Sequence, residues 1–535
     1  DLESHSAVGL FVRCARRASV GFSLSAEKQW VVRICQLVEG LPLAIELAAA
    51  WVRQMPCSVI VQELETGIDL LTTSLRDAPE RHRSMRAVFE QSWQLLSEEE
   101  RAVLRKLSVF RGGFLRQAAE EVASASLFLL STLVDKSMLQ VDPSGRYDLH
   151  ELLRQFAAER LEQRAEEAQT IQDRHTASYL ALLQQQERHF RGPELKQALA
   201  AIRADVDNVR LAWRWAIEHD KWAELTAATE SLWLFYEIQG WFLEGKDTFA
   251  RLVARLRQHL EGPAVAQTAL PPEEIRLMLG VMLAHLGWFQ VRLGLGQEVE
   301  ATGQEIRAIL REAGHRTRPE TALCLYFLGA FARFQEQHNA ARDILRESLA
   351  LFDWLGDNWS SARVLMALGQ TARWLGHYEE AEQHSQKSIA IFEALGEQRW
   401  IVYSISTLGR IALARGQYER AETLHQDCLQ RRRTLGDRTG VSFTFKDLGD
   451  VARLQGKPRQ AQEHYEQGLA LAKETGNRSE VAWALWGLSQ LAAMRGEYEE
   501  AKRLAQESKG FYQTFRSDLY VGWAVLCSGD LQAAV

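Results

Sequence analysis

The chain has 535 residues, too many for one hydrophobic core, so we expect several domains or a long solenoid. Its net charge of −7 argues against a dedicated nucleic-acid surface, and its six scattered cysteines form no C-x-x-C pair, which argues against a disulfide framework or a zinc site. The longest apolar stretch, residues 41–52, is interrupted by Glu46 and is too short to span a bilayer. No secretory signal is visible, and the chain begins with Asp1, so we expect a cytoplasmic fragment without a membrane partner.

Residues 1–78 predict a small helical domain. Its sharpest local signature is the string from Gly40 through Pro42 to Ala44. A glycine ends one helix there, and Pro42 suits the first turn of the next helix because its missing N–H would be unpaired anyway. The string therefore predicts a helix–helix corner.

Residues 79–165 predict a winged-helix domain. The string from Ser97 to Glu100 is a capping box that opens a helix running to about Phe110, and short helices are predicted at 115–123 and 127–136. A β-hairpin is predicted next, with its turn at residues 142–145. The helix at 127–136 stands where a recognition helix would, but it is apolar and has Lys136 as its only basic residue. We therefore expect no direct DNA contact from this chain.

Residues 166–268 predict a helical linker or degenerate repeats rich in tryptophan (Trp213, Trp215, Trp222, Trp233 and Trp241). These rings either fill gaps between unevenly packed helices or form an aromatic cage for a cation. The string from Gly240 to Lys246 has P-loop spacing, but Asp247 stands where Ser or Thr must reach Mg²⁺, and large side chains would crowd the phosphates. We interpret it as a turn between helices.

Residues 269–535 predict an α-solenoid. Gly329, Gly369, Gly409 and Gly449 recur at one fixed interval, each preceded by leucine and followed three residues later by alanine. A fixed period of about 40 residues predicts stacked helix pairs, and a glycine inside the first helix of a pair lets a neighbouring helix approach closely. The unit resembles the tetratricopeptide repeat in its longer form, with five copies from about 320 to 514 and a weaker one near Gly287. A further helix is predicted to begin near Tyr520.

In tetratricopeptide arrays the first helices of successive units line a concave groove. Equivalent positions along these helices, taken from repeat to repeat, select the candidate ligand-binding residues Arg333, Arg373, Arg410, Lys446, Arg453 and Trp486. Such a groove would be basic inside an acidic protein and would suit a protein, a peptide or a small anionic ligand, since arginine pairs with carboxylates in a bidentate manner. The alternative is a solvated helix face with no ligand.

The order of the segments resembles the signal-transduction ATPases with numerous domains (STAND class, NB-ARC type), and more closely the bacterial MalT-like and BTAD-type regulators. The strings that carry the resemblance are Ser6-Ala7-Val8, Leu10-Phe11, Ala15-Arg16-Arg17, Gly40–Ala44, Phe110–Phe114, Leu133–Ser137, Tyr147–Arg154, Asp207–Arg210 and Trp215-Ala216. The fold that this order implies is mostly α: a small helical domain, a winged helix and then tetratricopeptide-like helix pairs.

The resemblance also implies two nucleotide contacts. Pro42 matches the proline that packs on the adenine ring, and His150 matches the winged-helix histidine that contacts the β-phosphate of ADP. Glu151 stands where many relatives have aspartate, and Leu149 where many have methionine. Alternatively, His150 only caps the helix that follows it. The string from His150 to Arg154 lacks the second histidine of a zinc protease, so we expect no metal site there.

No P-loop precedes residue 40. The resemblance therefore implies that this chain is the sensor and regulatory portion of a STAND-type ATPase and transcriptional regulator, and not an enzyme by itself. ADP or ATP with Mg²⁺ is expected only in the full-length parent, whose nucleotide-binding domain would be a partner of this chain, and ligand could drive oligomerisation. The alternative is a stand-alone tetratricopeptide scaffold for protein interactions without nucleotide switching.

Overall fold

The computed structural model describes residues 6–19, 22–67, 70–71, 85–192, 194–262, 271–313 and 318–511. The chain forms two compact units, residues 1–182 with 203–219 and residues 183–202 with 220–535. This division passes through the predicted 166–268 segment, and the boundaries between the four domains expected from the sequence remain predictions. Among the described residues, no helix is long and apolar enough to cross a membrane.

The first unit begins with α1 (Ser6–Ala18), α2 (Leu24–Leu37), α3 (Pro42–Ala50), a short 3-10 helix (Trp51–Arg53) and α4 (Cys57–Thr66). Between α2 and α3 the backbone turns through Glu39 and Gly40, which have φ angles of 47° and 74°. Pro42 occupies the first turn of α3, as predicted. The helix–helix corner is therefore confirmed, whereas the predicted end of this segment at residue 78 lies outside the described residues.

The same unit continues with α5 (Met85–Gln94), α6 (Glu98–Leu107), β1 (Phe114–Leu115), α7 (Arg116–Ala123), α8 (Leu127–Asp135), β2 (Gln140–Val141), β3 (Arg146–Asp148) and α9 (Glu151–Glu162). Both bonds of the capping box are present: Ser97 N donates to Glu100 Oε2 at 2.6 Å, and Glu100 N donates to Ser97 Oγ at 3.2 Å. Each bond satisfies a donor that the start of α6 would otherwise leave without a partner.

The predicted hairpin is confirmed, and a third strand joins it. β2 and β3 are antiparallel, with Val141 opposite Tyr147. β1 pairs with the other edge of β3, where Phe114 lies opposite Tyr147, so the sheet order is β1-β3-β2. β1 was missed because a two-residue strand carries no alternation that a sequence pattern could reveal.

The central helices are α10 (Ala165–Phe190), α11 (Leu195–Ala204), α12 (Val206–Glu218), α13 (Trp222–Gln239) and α14 (Phe242–Glu261). Trp213, Trp222 and Trp233 are buried, which favours the gap-filling interpretation of the tryptophans. Gly240 ends α13 at a φ of 73°, and a Cβ on Gly245 would lie 2.6 Å from the ring of Phe289. The P-loop-like string therefore forms a turn between two helices. Its second glycine, Gly245, leaves room for the ring of Phe289.

The repeats follow as α15 (Pro272–Arg292), α16 (Gly296–Ala313), α17 (Pro319–Phe334), α18 (His338–Leu355), α19 (Asn358–Trp374), α20 (Tyr378–Ala394), α21 (Arg399–Ala414), α22 (Tyr418–Leu435), α23 (Arg438–Leu454), α24 (Pro458–Glu474), α25 (Arg478–Met494) and α26 (Tyr498–Phe511). The pairs from α17 to α26 are the five predicted copies, and α15 with α16 is the weaker one. The helix predicted near Tyr520 lies outside the described residues.

The repeated glycines lie where the two helices of a pair touch. An added Cβ would come within 2.5–2.7 Å of a side chain that lies sixteen residues later, on the second helix of the same pair. The four pairs are Gly329 with Leu345, Gly369 with Ser385, Gly409 with His425, and Gly449 with Tyr465. The predicted close approach is confirmed, and the glycine makes room for whichever side chain occupies the facing position.

Candidate functional site

The structure brings three of the predicted ligand-binding arginines together on the first helices of successive repeats. Arg333 ends α17, Arg373 ends α19 and Arg410 lies in α21. Burial lowers the pKa of Arg373 to about 9, and the positive charges of Arg410 and Arg333 act in the same direction. We call the first-helix faces of α17, α19, α21, α23 and α25 around these residues the first-helix surface.

Arg373 lies in an electrostatic field that disfavours its charge. Among the described residues, no carboxylate lies within 4 Å of its guanidinium, which stacks 4.4 Å from the ring centroid of Trp374. Arginine stays protonated at physiological pH, so a lowered pKa here means that its charge is held in an unfavourable field. An anion bound beside Arg373 would relieve that field.

Arg410 is instead paired with a carboxylate of the next repeat. Its Nη2 lies 2.9 Å from Oδ2 of Asp447, and its Nε donates to the same carboxylate at 3.0 and 3.1 Å. Ser406 Oγ also donates to Asp447, at 3.2 Å. Burial acts to raise the pKa of Asp447, but the charges of Arg410 and Lys446 hold it below its usual range. Asp447 therefore holds Arg410 in position and reduces its availability to a ligand.

The remaining predicted residues lie further along the first-helix surface. Lys446 Nζ is 2.7 Å from Asp450 and 3.3 Å from Asp447, and Arg453 Nε donates to the hydroxyl of Tyr465 at 3.3 Å. Trp486 is half-buried on α25.

An aromatic series on the same helices was missed by the sequence analysis. Tyr403, Phe443 and Trp483 occupy equivalent positions in successive repeats, on α21, α23 and α25. A cation stacks on each ring: Arg432 lies 4.9 Å from the centroid of Tyr403, Arg410 4.2 Å from that of Phe443, and Lys446 5.6 Å from that of Trp483. The repeat interval, applied from Tyr403, would have found the series.

Helix α13 places two carboxylates against arginines of the repeats. Glu230 lies 3.2 Å from Arg363 of α19 and 3.3 Å from His285 of α15. Glu237 pairs with Arg292 of α15 and lies 3.9 Å from Arg399 of α21. The arginines of the first helices thus already bind acidic side chains from within the chain.

Arg363 lies in an aromatic enclosure that includes Trp233, one of the tryptophans for which the sequence had left a cation cage open. Its guanidinium lies 4.7–5.4 Å from the ring centroids of Tyr326, Trp359, Trp400 and Trp233. Cations are attracted to the faces of such rings. The cation enclosed by Trp233 is therefore a side chain of the protein itself.

In the first unit, His150 caps a helix. Its Nδ1 accepts a hydrogen bond from Leu152 N at 3.2 Å, which makes it the N-cap of α9. Its Nε2 lies 3.5 Å from Glu39 Oε2, and Glu39 Oε1 accepts from Glu151 N at 2.7 Å. Burial lowers the pKa of His150, against the opposing charge of Glu39. The capping bond is therefore observed, and whether His150 also contacts a nucleotide stays a prediction.

Pro42, the second predicted nucleotide contact, is exposed on α3. A cavity of about 140 Å³ is lined by Glu39, Asp148, Glu151 and Arg154, among others. Three carboxylates and one guanidinium do not make a phosphate site.

A family model for the tetratricopeptide repeat matches residues 320–394, 360–434, 401–474 and 447–514. These repeats are therefore tetratricopeptide repeats, as the sequence analysis predicted. Such repeats are non-enzymatic scaffold modules.

The chain is also similar to proteins of Mycobacterium bovis and Mycobacterium tuberculosis that are named "putative HTH-type transcriptional regulator". The identity is 28% over 370 residues, which cover 67% of this chain and 40% of each relative. The chain thus matches less than half the length of these relatives. An uncharacterised protein of Mycobacterium tuberculosis is 34% identical over 175 residues, 30% of this chain and 44% of that protein. The names agree with the regulator class that the sequence resembles.

Among solved structures, a STAND protein with a tetratricopeptide repeat sensor from Pyrococcus horikoshii matches 99% of this chain and 70% of its own, with 15% identity and a TM-score of 0.46.

Proposed function

We propose that this chain is the sensor and regulatory portion of a cytoplasmic STAND-type ATPase and transcriptional regulator, in which the repeats bind an acidic protein or peptide. The tetratricopeptide repeats and the regulator names of the relatives support the class. The nucleotide-binding domain would lie outside these 535 residues, and the chain would have no ATPase activity of its own. In the parent, Pro42 and His150 would contact bound ADP, and ligand with ATP would favour oligomerisation.

The observation that carries the ligand class is the cation cluster at Arg373. Arg333 and Arg410 raise the positive potential there, and no described carboxylate pairs with Arg373 within 4 Å. A guanidinium fork binds a carboxylate with two parallel hydrogen bonds, and partial burial strengthens the pair.

The contacts of α13 show the same chemistry inside the protein. Glu230 and Glu237 are seven residues apart on one helix, and they meet Arg363 and Arg399 from successive first helices. The first-helix surface therefore accommodates a segment whose acidic side chains are spaced along it. An external ligand would use the guanidinium nitrogens that the carboxylates of α13 do not reach.

The test is binding of a fluorescein-labelled hexaglutamate peptide to the 535-residue chain, measured by fluorescence anisotropy. We expect Arg373→Gln to weaken binding at least tenfold. Arg346→Gln on the second helix α18, an exposed arginine paired with Glu380, should leave it unchanged. Equal binding by the wild-type chain and the Arg373 variant would refute this ligand site.

The regulatory part of the proposal is tested in the whole parent protein. Linkage requires that the ligand change the affinity for ADP by the same factor as ADP changes the affinity for the ligand. A ligand that binds without any change in ADP affinity would leave the chain as a protein-interaction scaffold.

A further inference from the structure

A second cluster of cations lies on the same face of α21 as Arg410. Arg399, Tyr403 and Arg410 are spaced by four and seven residues, so their side chains share one face of the helix. Eleven residues separate Arg399 from Arg410, which corresponds to about 16 Å along the helix axis. Two cationic positions are thus held at a fixed separation by one rigid element.

Several guanidinium nitrogens of this second cluster donate no hydrogen bond to any described residue. Arg399 is 3% exposed and Arg432 is 0% exposed. Nε and Nη1 of Arg399, and Nε and Nη2 of Arg432, are buried and have no hydrogen-bond partner among the described residues. Buried guanidinium nitrogens without acceptors are costly, so an acceptor from outside the chain is expected to reach them.

The carboxylates near this cluster are already engaged. Glu237 pairs with Arg292 and accepts from the indole of Trp288 at 2.9 Å. Asp437 caps α23 by accepting from Gly440 N at 2.9 Å.

A third nearby carboxylate, Glu397, accepts from Trp359 Nε1 at 3.3 Å and from the backbone N of Arg399 at 2.7 Å. Nη2 of Arg399 lies 3.9 Å from Glu237, and its Nε and Nη1 have no acceptor among the described residues.

A ligand on the first-helix surface would reach this cluster beside Tyr403. Its ring lies between the two arginines, 5.8 Å from Arg399 and 4.9 Å from Arg432, and the residue is only half-buried. Its hydroxyl can donate to the same acceptor as the guanidinium groups. Between Tyr403 and Arg410, Ser406 binds Asp447, so a carboxylate of the protein occupies the middle of this face.

We propose that the ligand of the first-helix surface carries two acidic groups, one bound at Arg373 with Arg333 and Arg410 and the other at Arg399 and Arg432 beside Tyr403. A separation of about 16 Å corresponds to about five residues of extended chain. Asp447 repels a third acid between them, so the pattern is an acidic residue at each end of an uncharged spacer. This inference rests on the proposed function.

The test compares six-residue peptides by isothermal titration calorimetry on the 535-residue chain. The first peptide has glutamate at both ends, with serine and glycine between them. The second peptide has glutamine in place of the first glutamate, and the third has glutamine in place of the last. In a fourth, both glutamates are moved to the middle. We expect the first peptide to bind at least tenfold more tightly than each of the other three.

Substitutions in the chain test the two proposed acid-binding positions one at a time. Arg399→Gln should reduce the affinity for the doubly acidic peptide to that of a singly acidic one, and Arg373→Gln should do so independently. Tyr403→Phe keeps the ring and removes only the hydroxyl, so a smaller loss of the same kind is expected even if Arg399→Gln fails to fold.

The outcomes distinguish this inference from the function on which it rests. If all acidic peptides bind equally, and Arg373→Gln still weakens them, the second position is filled by water only and the two-point inference is wrong. If no acidic peptide responds to Arg373→Gln, the proposed ligand site itself is wrong.

Discussion

Arg410 of α21 and Asp447 of α23 form a three-contact ion pair between successive repeats. Nε and Nη2 of Arg410 reach both oxygens of Asp447, and the carboxylate is almost completely buried. The pair joins two first helices and also removes one cation from the ligand-binding cluster. One contact thus contributes to the stability of the array and to the arrangement of its binding residues.

We expect Asp447→Asn to lower the free energy of unfolding of the repeats by about 3 kcal/mol, since it breaks an ion pair whose carboxylate is buried and leaves the half-buried guanidinium of Arg410 without its counter-ion. The measurement is the midpoint of urea unfolding followed by circular dichroism. The matched control is Asp427→Asn, in an exposed pair with Arg431, for which a change of less than about 1 kcal/mol is expected. Equal effects of the two substitutions would contradict a structural role for the buried pair.

The stability of the repeats should fall as pH rises because of Glu480. Burial raises the pKa of this carboxyl from 4.5 to about 7, with Asp447 acting in the same direction and Lys446, Arg410 and Arg292 opposing it. The folded state therefore binds more protons than the unfolded chain between these two values. The contribution of Glu480 to the stability of the repeats is therefore fully present below about pH 4.5 and is lost as the pH rises to about 7.

Glu480→Gln should remove that slope and raise stability at pH 8 by on the order of 3 kcal/mol. Thermal unfolding at a series of pH values measures the slope. Glu500→Gln, on the exposed surface beside Arg503, serves as the control and should leave the slope in place. An unchanged slope in the Glu480 variant would assign the pH dependence to other groups.

Gly409→Ala should destabilise the repeats by about 1–3 kcal/mol, because the added methyl would lie 2.7 Å from Nε2 of the buried His425. Gly510→Ala on α26 is the control, since among the described residues no atom outside the adjoining turns of its own helix lies within 4 Å of the added methyl. The control should be neutral or slightly stabilising, as alanine favours helix over glycine. Denaturant midpoints measure both, and a neutral Gly409 variant would show that the helices can separate at little cost.

His150→Ala should destabilise the start of α9 by about 1 kcal/mol, because Leu152 N loses its capping acceptor. His150→Asn should restore most of this stability, since asparagine is a good N-cap. Hydrogen exchange at the amide of Leu152 is the local measurement. In the parent protein, the asparagine variant separates capping from nucleotide contact: normal ADP affinity in that variant would remove His150 from the nucleotide site.

The periodic features were predictable because they depend on contacts repeated at one interval. The regularly spaced glycines identified the helix pairs, and the capping box at Ser97 and the hairpin turn are local in sequence. The repeats also indicated which arginines share the first helices. The same interval contains Tyr403, Phe443 and Trp483, so this aromatic series was accessible to the sequence as well.

The sequence by itself determined the helical class, the repeat boundaries and the basic character of the first helices, since each follows from the helical period or the repeat period. Only the tertiary structure decided which cations are already paired. Arg410 is held by Asp447, 37 residues away, and Arg363 by Glu230, 133 residues away. Such pairings depend on how distant helices pack in three dimensions, and no spacing along the chain encodes them.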